Sequence, residues 1–204
     1  MILKRQAIGL LLLTALALFA QAGWYQGKAV VAQWLMADAY AALRETGDAQ
    51  RPWPWADTAV TGRLRPADGP PLFVLTGHQG EAMAFGPSRL NPDNDRAIVI
   101  GGHRDTHMTF LADARVGDVV ELTLENKPMR RYRLATLQVA DNESEMLLIE
   151  PDAEMLVMIT CYPVRTLSTG GTQRLIAVAL PLKSTPEERE QKWQHGKSPQ
   201  TAAG

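Results

Sequence analysis

The sequence predicts an all-β domain, a sandwich or small barrel, carried behind an N-terminal apolar helix. Three observations predict it. From about residue 59 onward, short apolar or alternating runs recur, each closed by Gly, Pro or Asn, and helical periodicity is scarce. Before residue 47 the texture is the reverse, apolar and rich in Ala and Leu with few breakers. A chain of 204 residues with 46% hydrophobic composition has material for one core plus accessory segments. A net charge of −1 without a basic stripe gives no case for a nucleic-acid partner.

In the N-terminal segment, Lys4 and Arg5 precede an apolar run over 8–22 that only Thr14 and Gln21 interrupt. At about 15 residues the run is short of the ~20 that a full span needs. Two readings compete. A cleaved signal peptide would use Ala20-Gln21-Ala22 as its small-x-small site. An uncleaved anchor would extend through Gly23, Trp24 and Tyr25, whose aromatics suit a membrane interface. The chain stays helix-prone to Glu45, which favours the anchor. The expected division is a signal anchor over 1–25, a helical linker over 26–52, the β domain over 53–185 and a tail over 186–204. With Lys4 and Arg5 inside, the protein is expected in the inner (plasma) membrane as a single-pass chain, its body on the extracytoplasmic side.

The β domain opens with Trp53-Pro54-Trp55, an extended entry whose indoles are expected to pack over a barrel face. Strands are expected at 59–64, 71–76, 83–85 and 97–100, the last stopping at Gly101-Gly102, with a turn over 77–80. A short helix fits 106–114, with Asp105 and Thr106 as its caps. Residues 119–124 and 131–139 read as one strand pair joined by a turn over 125–128; 155–161 and 174–180 read as another. The charged, then Gly/Pro/Ser-rich tail reads as a surface helix followed by disorder. No internal repeat is present.

The chemistry gathers around Leu156-Val157-Met158-Ile159-Thr160-Cys161-Tyr162-Pro163. Pro163 cannot donate to a ladder, so the strand should end near Cys161 and leave its thiol at a strand terminus. Cys161 is the only cysteine, so it forms no internal disulfide and is there for packing or for reactivity. His103 follows a buried strand and a Gly pair that permits close backbone approach. Arg174 opens the strand after Cys161, and antiparallel pairing would bring the two side by side. Together they supply a thiolate, a proton carrier and an oxyanion stabiliser. His107 is a further candidate. Arg165 is a second cation near the thiol, either a substrate contact or part of a solvated face. His78 and His195 read as solvated. His103, Asp105 and His107 are metal ligands by type only, and no metal site or cofactor is expected.

At these residues the sequence resembles the sortases, membrane-anchored cysteine transpeptidases. The family's T-L-x-T-C segment lands on Val157-Met158-Ile159-Thr160-Cys161 with two conservative departures. Its following arginine lands on Arg174, and its Gly-His motif on Gly102-His103 within Gly-His-Arg-Asp-Thr. The resemblance covers about residues 55–183 and is nearest to sortases of Gram-negative bacteria, through residues 80–87 and the Trp53-Pro54-Trp55 entry. It implies an eight-stranded β-barrel with short helices. It also implies catalytic His103, Cys161 and Arg174, with Thr160 adding a hydrogen bond at the substrate or acting as a plain strand residue; Arg165 remains the candidate substrate contact read from its loop position. The implied donor partner is a secreted protein with a C-terminal signal similar to Leu-Pro-x-Thr-Gly, and the acceptor is an amine at the cell surface. Other readings are another exported cysteine peptidase or peptidoglycan transpeptidase, and a non-catalytic β domain with a structural cysteine. The Ser-x-Gly-Cys context of L,D-transpeptidases does not fit Thr160-Cys161-Tyr162-Pro163. Thiol accessibility separates the structural reading from the enzymes.

Overall fold

Strand pairing closes one sheet on itself. The computed structural model describes residues 2–77, 82–141, 153–166 and 171–182. In chain order the strands are β1 (Val60–Arg65), β2 (Leu72–Thr76), β3 (Ser88–Arg89), β4 (Ala97–Gly101), β5 (Val119–Leu124), β6 (Arg130–Asp141), β7 (Met155–Cys161) and β8 (Gln173–Pro181). They form a closed barrel in the order β1-β2-β3-β4-β7-β8-β6-β5. β2/β3 and β4/β7 pair in parallel and the other neighbours antiparallel. Leu64, Val74, Ile98, Ile100, Leu122, Tyr132, Leu156 and Met158 fill the interior. Closure removes the free edges that an open sheet would present for aggregation.

Ile2–Thr46 is one continuous helix, α1. It stops where Gly47 takes a positive φ of 88° and its N–H caps the Leu43 carbonyl at 2.8 Å, a conformation glycine adopts without steric cost. Its first half exposes Leu11, Leu12, Leu16 and Phe19. Its second half buries Ala32, Met36, Ala39, Tyr40 and Leu43, a stripe at helical spacing, against Val60, Leu75 and Ala82. The segment expected as a linker is therefore docked on the barrel. Fully burying Met36 and Leu43 contributes about 1.5–3 kcal/mol each.

Several expectations are corrected. Residues 83–85 are not a strand: Ala82–Phe85 form a helical turn, α2, whose Ala82 and Phe85 pack against the α1 cluster. The short strand β3 follows instead. The expected helix over 106–114 shrinks to a 3-10 turn, Thr109–Ala112, with Met108 at its N-cap and no side-chain cap. Asp105 and Thr106 do not cap it, because the Met108 N–H donates back to the His103 carbonyl at 3.0 Å and closes a wider loop first. Asp105 pairs with Arg104 at 3.4 Å instead. Of the two entry indoles, Trp53 meets Phe85 edge-on at 5.1 Å, whereas Trp55 is 81% exposed and packs over no barrel face. The expected turn at 77–80 and the tail fall mostly outside the described residues, as do His78 and His195.

Candidate active site

Two strand pairings converge on the end of β7. Antiparallel pairing sets Cys161 opposite Arg174, and the Tyr162 N–H donates to the Gln173 carbonyl at 3.0 Å. On the other side β4 runs parallel to β7, with Gly101 opposite Ile159. The Gly102 N–H continues this ladder to the Ile159 carbonyl at 3.2 Å. His103 follows Gly102 in the loop that leaves β4 beside the end of β7.

Strand alternation decides which face these residues occupy. Leu156 and Met158 of β7 belong to the interior core, whereas Val157 and Ile159 join an outer cluster with Val99, Ala140, Ile176, Leu90 and Val178. Cys161 falls in the outer set with Ile159, and Arg174 with Ile176. The free, partly buried Cys161 stands at the end of β7 on the side of this outer cluster, with half-buried Arg174 opposite it on β8 and exposed His103 in the loop after β4.

The backbone approach that the Gly pair permits is used. A Cβ on Gly102 would stand 3.0 Å from Met108 Cγ, so a side chain there would push the His103 loop off its seat. Thr160 is 2% exposed, and its hydroxyl donates to the Gly102 carbonyl at 2.8 Å. Its side chain therefore holds the loop that carries His103 from inside the wall. Arg104 ties the same loops from the other side: its Nη1 donates to the Pro163 carbonyl at 3.1 Å, and its side chain is largely buried. Sequence reasoning singled out neither contact. The loop after Cys161 turns through a cis Tyr162–Pro163 bond. Arg174 Nη1 donates to the carbonyls of Gly171, Thr172 and Gln173 at 2.9–3.3 Å, which anchors the guanidinium at the mouth of β8.

Arg165 is not brought to this group. It turns at φ 58° and pairs with Asp113 at 2.6 Å. There it lines a cleft of about 310 Å³ at the barrel mouth, beside His107, Phe110 and Pro70. His107 faces Ala84, whose carbonyl lies 3.3 Å from Nε2. Burial lowers its pKa below the ordinary value; the Ala84 carbonyl acts the other way, and the charge of nearby His103 lowers it a little further. Among the described residues no three His, Cys, Asp or Glu side chains gather in a way that could hold a metal ion.

A closed eight-stranded barrel with a lone thiol, an imidazole and a guanidinium on adjacent strand ends defines a class of β-barrel proteins built around one rim cysteine. Comparison with known proteins identifies the class. A family model described as the Sortase domain matches residues 66–182, more than half of the chain. The chain belongs to the sortase family. It is 29% identical over 72 residues to Sortase D of Bacillus subtilis (strain 168), covering 35% of this chain and 36% of that protein, so the match spans about a third of the curated relative. Its fold is similar to Sortase A from Corynebacterium diphtheriae, with TM-score 0.54 and 20% identity over 67% of this chain and 66% of that one. It is also similar to sortase A of Listeria monocytogenes, with TM-score 0.53 and 18% identity over 65% and 95%. The likeness extends to a pilus-related Sortase C of Group B Streptococcus, with TM-score 0.51 and 20% identity over 61% and 68%. At these identities the structures support the fold alone.

Proposed function

We propose that the protein is a membrane-anchored cysteine transpeptidase. It cleaves a Leu-Pro-x-Thr-Gly-like C-terminal sorting signal between Thr and Gly and passes the acyl group to an amine at the cell surface. The observation that carries this is the double register around β7, which supports Cys161 standing between His103 and Arg174 on one face. The Cys161 thiolate attacks the Thr carbonyl carbon, and its oxygen becomes an oxyanion that Arg174 stabilises with guanidinium N–H groups. His103 gives its proton to the glycine nitrogen as the C–N bond breaks, leaving a thioester on Cys161. An incoming amine attacks that thioester, loses its proton to His103 and releases the thiolate.

Anchoring rests on α1, whose N-terminal part is long and apolar enough to cross a membrane. With Lys4 and Arg5 retained inside, the barrel faces the extracytoplasmic side. Arg165, at the barrel-mouth cleft, is proposed to contact a substrate chain beyond the scissile bond.

The test is mass spectrometry of the full chain in detergent micelles, given Leu-Pro-x-Thr-Gly peptides with and without an added amine. Removal of residues 1–50 would strip Met36 and Leu43 from the barrel, so the full chain is used. Cleavage between Thr and Gly with an amine-trapped product, absent in Cys161→Ala, is expected. No turnover over a varied peptide panel, combined with a thiol that resists alkylation in folded protein, would overturn the proposal in favour of a structural cysteine.

A further inference from the structure

We infer that the α1 side of the barrel is an interfacial seat, in which Val30, Val31 and Trp34 on the back of α1 and Trp55 on the entry segment lie in the headgroup layer of the bilayer. This rests on the reading of α1 as a membrane anchor and adds where the catalytic barrel stands relative to the lipid.

The first argument is distance along one unbroken helix. Between Arg5 and Lys28 no charged residue occurs. That stretch of roughly 22 residues rises about 33 Å, enough for a hydrocarbon core of about 30 Å. The outer boundary of the core then falls near Lys28, whose ammonium lies 5.3 Å from the centre of the Trp24 ring. Barrel contacts begin almost at once. Ala32 is buried, and Gln33 Nε2 donates to the Phe85 carbonyl at 3.3 Å. Gln33 is only about 7 Å beyond Lys28 along the helix, whereas the headgroup layer of one leaflet is about 5–8 Å thick. No water layer fits between the membrane and the first part of the barrel.

The second argument is what that level exposes. Val30, Val31 and Trp34 lie on the side of α1 opposite the buried stripe of Ala32, Met36 and Tyr40, and Trp34 is 73% exposed. On the barrel, Trp53 meets edge-on the same Phe85 whose carbonyl Gln33 contacts. The Ala56 N–H bonds the Trp53 carbonyl at 3.0 Å and turns the entry segment, and Trp55, two residues on from Trp53, is 81% exposed. Two indoles open to solvent within one band of the molecule are a poor arrangement in water. They suit the headgroup region, where an apolar ring with a polar N–H is at home.

The experiment uses the full chain with Cys161→Ala, carrying a single new cysteine from Leu16→Cys, Trp34→Cys, Trp55→Cys or Val139→Cys. Each is labelled with a nitrobenzoxadiazole dye and reconstituted into liposomes of phosphatidylethanolamine and phosphatidylglycerol. Val139 lies on β6, across the barrel from β3. Lipids spin-labelled at mid-chain should quench the label at position 16. Lipids spin-labelled on the headgroup should quench those at 34 and 55 at least about threefold more than the one at 139, as a depth-dependent seat requires. Quenching at 16 with labels at 34 and 55 no different from 139 overturns the seat and leaves the anchor standing. No quenching at 16 overturns the anchor reading and the seat with it. Disulfide cross-linking of unlabelled Trp34→Cys chains in pairs, with no headgroup quenching at 55, overturns the seat in favour of a second copy on the back of α1.

Discussion

Replacing Thr160 by valine removes one hydroxyl and almost no volume. It breaks the 2.8 Å hydrogen bond from Thr160 Oγ1 to the Gly102 carbonyl, made in a buried setting between residues 58 apart in sequence. A buried carbonyl deprived of its donor costs about 1–3 kcal/mol, because valine offers nothing in exchange. With the Gly102 N–H still held by Ile159, the loop keeps one of its two ties, which places the expected loss at about 1–2 kcal/mol. For a domain of this size that lowers Tm by roughly 3–8 °C. The functional loss should be larger than the stability loss suggests. His103 is the next residue after Gly102, and a displacement of about 1 Å of a catalytic group costs up to roughly a hundredfold in rate. Peptide turnover by Thr160→Val should therefore fall through kcat with KM little changed, and Thr160→Ser, which keeps the hydroxyl, should restore most of it. The assay pairs denaturant unfolding with steady-state kinetics. Unchanged kcat in Thr160→Val, with the fold intact, would refute the reasoning that this hydroxyl sets the position of His103.

Arg104→Gln removes the strap to the Pro163 carbonyl and should lower kcat about tenfold with a Tm loss of only a few degrees; equal kinetics in variant and parent, measured on the same peptide, would remove Arg104 from the positioning machinery. The two entry indoles should separate. Trp53→Ala loses the edge-on contact with Phe85 and should cost about 1–3 kcal/mol, whereas Trp55→Ala should stay within about 0.5 kcal/mol in detergent, both read from denaturant midpoints. His107 gives a pH signature. Burial holds its folded pKa below the ordinary 6.5, so below that pH the unfolded chain takes up a proton that the folded chain refuses. Stability should therefore decline as pH falls through about 6.5 and level off once the folded histidine is protonated too, and His107→Gln should flatten that part of the Tm-against-pH curve.

The barrel was legible wherever one strand carried its own pattern. The apolar runs over 71–76, 97–100 and 155–161 fall on β2, β4 and β7, and the pairing across 119–124 and 131–139 falls on β5 and β6. What failed was short or decided from outside. Residues 82–85 carry no periodicity long enough to read; they are helical because Ala82 and Phe85, three apart, both reach the α1 cluster. β3 has two residues, and its existence depends on parallel pairing with β2 and antiparallel pairing with β4. The second half of α1 read only as a helical linker; its docking depends on Val60 and Leu75, partners on strands well separated from it in sequence.

The candidate site divides along the same line. Cys161 and Arg174 could be set side by side from sequence, because a proline stop and a glycine turn bracket one hairpin, and local chain geometry fixes such a register. His103 lies just past the parallel β4/β7 pair, a long-range pairing that the sequence alone does not specify. Thr160 and Arg104 lie further still from what a motif can say. Each adjoins a residue that a motif does mark, and each acts through a carbonyl nearly sixty positions away, Gly102 for one and Pro163 for the other. A carbonyl acceptor leaves no side-chain signature, so the residue type at the far end carries no trace of the bond. The motif thus marks the candidate groups, while the loop that carries His103 is tied to β7 and the turn after it by two crossing hydrogen bonds whose donors read, in sequence, as ordinary neighbours of the motif. A barrel that kept His103, Cys161 and Arg174 without either crossing bond would retain the motif and should lose most of the rate.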